Sequence, residues 1–174
     1  MPRSSPRATI FWSLVGSIVV LDRVTKYIAE QALSQRFGPQ EVLGDYLRWT
    51  LVYNPGAAFG LNLGPYSRWI FLSLTVGALV ILWRLYQATA PGDRWRAIAV
   101  GLVTAGAIGN LIDRIISAPG VVDFIDVGIG NSRWPTFNVA DMAVSTGAFL
   151  LAWVLWGEDR AAAQALASES QPAS

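Results

Sequence analysis

Asn110-Leu-Ile-Asp113 and Asn138-Val-Ala-Asp141 are two copies of one short pattern, each set at the end of an apolar stretch. A carboxylate at the margin of a lipid-soluble segment is costly and marks a functional candidate. If the segments are helical, a spacing of three sets each Asn beside its Asp on one face. Two such faces brought together make a paired-carboxylate site surrounded by side-chain amides. Like charges a few ångström apart in a low dielectric cannot both ionise, so such a pair shares one proton. The ionised member takes a proton from water as the water attacks a carbonyl. The protonated member gives its proton to the oxyanion or the leaving amine. That chemistry needs neither a nucleophilic side chain nor a metal.

The composition leaves few alternatives. The chain has 174 residues with no Cys and no His. Disulfides, thiol nucleophiles and thiolate metal sites are therefore excluded, as are a Ser-His-Asp triad and His-ligated zinc. No cofactor is expected. Acid and base groups must be carboxylates, with Lys26 as a further candidate. Hydrophobic residues make up 53% and charged residues 14%, with a mean hydropathy of +0.40. Soluble domains carry roughly 25% charged residues, so the balance points to lipid. A net charge of +1 offers no basic stripe for nucleic acid.

Four apolar stretches must position the acids, at about 8–29, 69–88, 95–116 and 137–157. Each approaches the roughly 20 residues that a spanning helix needs. Three of them reach that length only by including an acid: Asp22, Asp113 and Asp141. The chain is expected to form one polytopic membrane domain over 1–160, with 161–174 as a frayed helix or disordered tail. No small-x-small site follows the first stretch, so it reads as an uncleaved helix and not a removed leader. Arg3, Arg7, Arg84, Arg94 and Arg96 set the inner side, which places both termini in the cytoplasm. Trp12, Trp83, Trp95 and Trp156 then lie near the inner boundary, with Trp69 and Trp134 near the outer one. At about 1.5 Å per residue, Asp22, Asp113 and Asp141 all fall within roughly 10 Å of the outer boundary. Tyr46–Tyr53 and Val121–Val127 mix alternation with β-forming residues, which predicts a small strand-rich cap outside.

Each motif also has a plain structural explanation. Asn138 with Asp141 resembles a capping box at a helix start. Asn110 with Asp113 does not, because an acid at a helix C-terminus opposes the dipole; a solvated Asp113–Arg114 pair is what remains for it. Asp22 and Lys26 read as a local ion pair. Asn54-Pro-Gly56 reads as a turn whose small residues let backbone approach a ligand closely. Asp123 and Asp126, taken alone, read as solvated strand residues.

The ordered blocks Asp22-Arg-Val-Thr-Lys26, Asn54-Pro-Gly-Ala-Ala-Phe59, Gly109-Asn-Leu-Ile-Asp-Arg114, Val122-Asp-Phe124 and Phe137-Asn-Val-Ala-Asp141 resemble bacterial lipoprotein signal peptidase, or signal peptidase II. The likeness covers the chain from Asp22 to the end of the fourth stretch. It implies an aspartic endopeptidase of the cytoplasmic (inner) membrane, active near the outer face. Such enzymes remove the signal peptide from diacylglyceryl-modified prolipoproteins just before the lipobox cysteine. The resemblance implies Asp113 and Asp141 as the catalytic pair, and Asn54, Asn110, Arg114 and Asn138 as substrate-binding positions. Asp22, Lys26, Gly56 and Asp123 are implied as site-supporting. The implied fold is all-α in its membrane part: four transmembrane helices, a small extracytoplasmic β-cradle and a short amphipathic helix within 117–136. Membrane lipid and the prolipoprotein are the implied partners of a monomer. Arg23 departs from the family pattern by adding a charge beside Asp22. A small proton-coupled membrane transporter is the rival reading, because acids in spans also serve as proton relays. Clustering of the acids at one membrane face argues against it.

Overall fold

A computed structural model describes residues 6–56 and 63–169. Its order is α1 (Pro6–Leu33), β1 (Gln40–Leu43), β2 (Leu47–Asn54), α2 (Ser67–Ala88), α3 (Arg94–Ile116), β3 (Val121–Ile129), β4 (Ser132–Arg133) and α4 (Val139–Glu169). All four helices are long and apolar enough to cross a membrane. Helices suit that solvent because each satisfies its own backbone hydrogen bonds. The two connections that carry strands meet at one end of the bundle and form one antiparallel sheet of order β1-β2-β3-β4. The strand-rich cap expected from 30–68 and 117–136 is therefore present.

Helix α3 is the most buried of the four and packs against the other three. Glycine makes this possible. A Cβ on Gly106 would sit 2.2 Å from the Ala140 carbonyl oxygen, and one on Gly147 would sit 2.8 Å from that of Ala99. Backbones of α3 and α4 thus approach to a separation that no side chain permits. Small-residue contacts of this kind hold helices together in lipid, where no hydrophobic drive operates between them. Away from the sheet, the helices pack around Phe11, Val15, Leu82, Tyr86, Val100 and Ala105. The Phe11 and Tyr86 rings stack at 4.1 Å.

Beneath the sheet, Phe124 packs on Ala29 and Leu33 of α1, with Leu51, Ile125 and Val139 around them. Antiparallel pairing sets Val52 opposite Asp123 and Asn54 opposite Val121. This register brings the Asn54 turn to the start of β3. Gly120 closes the step from α3 to β3 with a φ of 128°, where a Cβ would lie 2.3 Å from the Asn54 carbonyl oxygen. Only glycine fits there.

One local expectation needs correction. The 117–136 connection folds as β3 and β4, with no amphipathic helix. Its Val-Val-Asp-Phe-Ile run pairs with β2 along nearly its whole length, and that pairing consumes the backbone groups a helix would need. Of the two readings of 161–174, frayed helix or disordered tail, the helical one describes residues up to Glu169, where α4 ends, in keeping with their Ala-rich composition. Residues 170–174 and Ala57-Ala-Phe-Gly60 lie outside the described residues.

Candidate active site

Lys26 is the hub of the polar region under the sheet. Wholly buried on α1, its ammonium lies 2.8 Å from Asp22 Oδ2 and 2.8 Å from Asp113 Oδ2. It also donates to Asn110 Oδ1 at 2.9 Å. One ammonium thus meets three oxygens, two by ion pairing and one by a hydrogen bond. Arg23 contributes a second cation on Asp113 Oδ1. Two carboxylates and two cations give a neutral cluster, as burial demands. Asp22 Oδ1 accepts from the Ala140 N–H at 2.9 Å, and Asp113 Oδ2 accepts from the Val122 N–H at 3.2 Å. The cluster therefore ties α1 to α3, α4 and β3. The expected Asp22–Lys26 ion pair is present, but Lys26 reaches well beyond it.

Asp141 sits next to this cluster on the first turn of α4. Its Oδ1 accepts from Asn110 Nδ2 at 2.8 Å and its Oδ2 from the Asn138 N–H at 3.1 Å. Asn138 Oδ1 in turn accepts from the Asp141 N–H at 2.9 Å. This is the reciprocal cap that the spacing suggested. Capping occupies only the near edge of each side chain. The Asn138 amide nitrogen lies 2.7 Å from Asp123 Oδ1, and it is 3.2 Å from both Asn110 Oδ1 and the Val122 carbonyl oxygen.

Asp123 closes the arrangement from β3. Its Oδ2 accepts from Asn54 Nδ2 at 3.3 Å. Burial, and then the negative charge of Asp141, push its carboxyl up to about 7, against opposing hydrogen bonds from Asn54 and Asn138 and the charge of Lys26. Neither Asp123 nor Asp141 has an ion-pair partner among the described residues. Arg114 lies within electrostatic reach of both. Its guanidinium donates to the carbonyl oxygens of Gly56 and Asn110, each at 3.1 Å. Gly56 is itself held in an Asx turn, its N–H donating to Asn54 Oδ1 at 3.0 Å.

All ten expected site residues thus fall into one network. Asp113 was expected to face Asp141. Instead its oxygens are taken by Lys26, Arg23 and the Val122 N–H, and its link to Asp141 runs through Lys26 and Asn110. Nor does it form the solvated pair with Arg114 that its position allowed. Asp123 and Asp126, read as solvated, are 3% and 7% exposed. Asp126 is held by Thr50 and Arg133 in the sheet. A signal for Asp123 was available: an acid with two apolar residues on each side in a strand is unlike a solvated one. Arg23 had no such signal, because only the fold brings it to Asp113. No group of carboxylates is set to hold a metal ion among the described residues.

Four spanning-length helices that gather carboxylates and amides under a small sheet define a polytopic membrane protein with the makings of an acid–base site. Comparison with known proteins makes this specific. The family model described as signal peptidase (SPase) II matches residues 14–157. The lipoprotein signal peptidase of Hydrogenovibrio crunogenus is 46% identical over 154 residues, covering 85% of each chain. That of Pseudomonas syringae pv. tomato is 43% identical over 141 residues, covering 78% of this chain and 79% of its own. Two solved structures described as bacterial membrane enzymes share the fold. One has a TM-score of 0.73 and 29% identity, covering 94% of this chain and 93% of its own. The other has a TM-score of 0.70 and 32% identity, covering 83% and 91%. The chain belongs to the signal peptidase II family.

Proposed function

We propose that this protein is a membrane-embedded aspartic endopeptidase that removes the signal peptide from diacylglyceryl-modified prolipoproteins, just before the lipobox cysteine. Family membership supports the substrate. Two pairings of acids are open to the chemistry, Asp113 with Asp141 and Asp123 with Asp141, and the geometry favours the second. The observation that carries it is that, among the described residues, Asp123 and Asp141 lack ion-pair partners, while Asn138 bonds to both and the charge of Asp141 bears on Asp123. Asp113 is already neutralised by two cations. Both oxygens of that carboxylate are occupied, by Arg23 on one side and by Lys26 and the Val122 N–H on the other.

In this reading Asp123 and Asp141 divide one proton at rest. The ionised member accepts a proton from water as the water attacks the scissile carbonyl, and the other protonates the leaving amine. Asn110 and Asn138 orient Asp141, Asn54 and Asn138 orient Asp123, and Arg114 pins the Asn54-Pro-Gly56 turn against α3. Asp22, Lys26 and Asp113 hold α1, α3 and β3 in register beneath them.

The site lies at the strand-bearing end, whereas Arg7, Arg84, Arg94 and Arg96 lie at the other. By the excess of basic residues on the inner side, both termini are cytoplasmic and the site is near the outer face of the cytoplasmic membrane. Substrate enters sideways from the outer leaflet as a monomeric enzyme's ligand, its acyl chains remaining in lipid. Purified protein is expected to shorten a diacylglyceryl-modified prolipoprotein, and to leave the unmodified precursor and any substrate of Asp141→Asn uncut. Equal cutting of both precursors would remove the substrate assignment. Undiminished cutting by Asp141→Asn would remove the mechanism.

A further inference from the structure

We propose that a cleft between the start of α3 and the distal part of α4 binds one zwitterionic phospholipid headgroup, at the membrane boundary opposite the carboxylate site. The cleft has a volume of about 450 Å³, and Asp93, Trp95, Trp153, Trp156, Glu158 and Arg160 line it. Clefts of roughly 300–1,000 Å³ are the usual size for small ligands. From Trp95 to Asp113 the rise along α3 is about 27 Å, so the two sites occupy opposite boundaries.

Its walls suit both halves of a dipolar headgroup. The Trp95 and Trp153 rings lie 6.2 Å apart at 79°, so two indoles meet nearly at a right angle. All three Trp are more than half exposed. Ring faces attract an ammonium, and nearby carboxylates strengthen that attraction. The Arg160 guanidinium stands 4.9 Å over the Trp156 ring, which fixes its planar fork where it can meet a phosphate. Indole at a membrane boundary is also where headgroups are found.

Charge balance selects the class of lipid. Arg96 bonds Glu158 at 2.6 Å and lies 3.8 Å from Asp93. Arg96 stands beside the cleft and not on its wall; counted with Arg160 of the lining, it balances the two lining carboxylates. A neutral headgroup that carries both signs complements the cleft; a net-anionic one leaves the two acids opposed.

The test is native mass spectrometry of the whole protein, released from detergent with phosphatidylethanolamine, phosphatidylglycerol or an equal mixture. One phosphatidylethanolamine is expected to be retained in preference to phosphatidylglycerol. In Trp95→Leu/Trp153→Leu that retention should weaken by about tenfold, the loss of two cation–π contacts. Its circular dichroism melt should match that of wild type. Equal retention of both lipids by wild type would overturn the proposal, as would an unchanged preference in the folded double variant. If the double variant does not fold, Arg160→Gln decides: weaker retention of phosphatidylethanolamine supports the site, and unaltered retention refutes it.

Discussion

Removing the Asn54 amide should shift the pH profile of cleavage upward, the opposite of what loss of a helper group usually suggests. Asn54 Nδ2 donates to Asp123 Oδ2 at 3.3 Å and so favours the ionised carboxyl. If the working dyad holds one proton, activity falls once that proton is lost. The wild-type alkaline limb is then centred near pH 7, the value to which burial and the Asp141 charge raise Asp123. A hydrogen bond to a charged group contributes about 1.5–3 kcal/mol at good geometry. At this length it contributes about 1 kcal/mol, and a pKa shift of one corresponds to about 1.4 kcal/mol. Asn54→Ala should therefore move the alkaline limb up by roughly 0.5–1 pH unit. The maximal rate also falls, because Asn54 holds the Gly56 turn. The assay is cleavage of a lipid-modified prolipoprotein across about pH 5 to pH 9, fitted for both limbs. A limb that stays in place or moves down would refute the reasoning.

Further outcomes follow from the same contacts. Lys26→Met strands the buried Asp22 carboxylate and leaves Asp113 to Arg23 alone, and should cost about 3–5 kcal/mol in denaturant unfolding from micelles; unchanged stability would contradict the hub. Gly106→Ala drives a Cβ into the Ala140 carbonyl, where neither backbone can yield, and should cost about 1–3 kcal/mol, read as a lowered melting temperature. Asp123 contributes its own pH dependence to stability. Its folded carboxyl titrates near 7 against an ordinary 3.8, so its contribution is fully present below about pH 4 and is lost as pH rises through about 7. Asp123→Asn should flatten unfolding free energy across that window, and a slope equal to that of wild type would count against the raised value.

Much of this arrangement was legible in the residues, and the parts that were not have physical causes. Span positions, and the gathering of Asp22, Asp113 and Asp141 toward one end of the bundle, follow from hydropathy and helical rise, because lipid penalises every alternative. Both strand regions follow from alternation and β-forming residues. The reciprocal cap of Asn138 and Asp141 follows from a spacing of three. Which acid faces which does not. Asp113 and Asp123 both come within reach of α4, and their difference depends on where Lys26 and Arg23 point. Those cations come from α1, some ninety residues earlier, and no local pattern records their aim. The amphipathic helix within 117–136 came from the resemblance alone; the residues read as strand over Val121–Val127, and β3 runs two residues further, to Ile129.

Turnover of Asp113→Asn and Asp123→Asn, measured side by side and normalised to folded protein, tests the account most directly. With Asp123 and Asp141 as the proton-sharing pair, Asp123→Asn should fold normally and leave prolipoprotein uncut. Asp113→Asn should yield less folded enzyme, yet each folded molecule should still cut. The reverse pattern, active Asp123→Asn beside well-folded but inactive Asp113→Asn, would contradict the pairing and return Asp113 to the reaction.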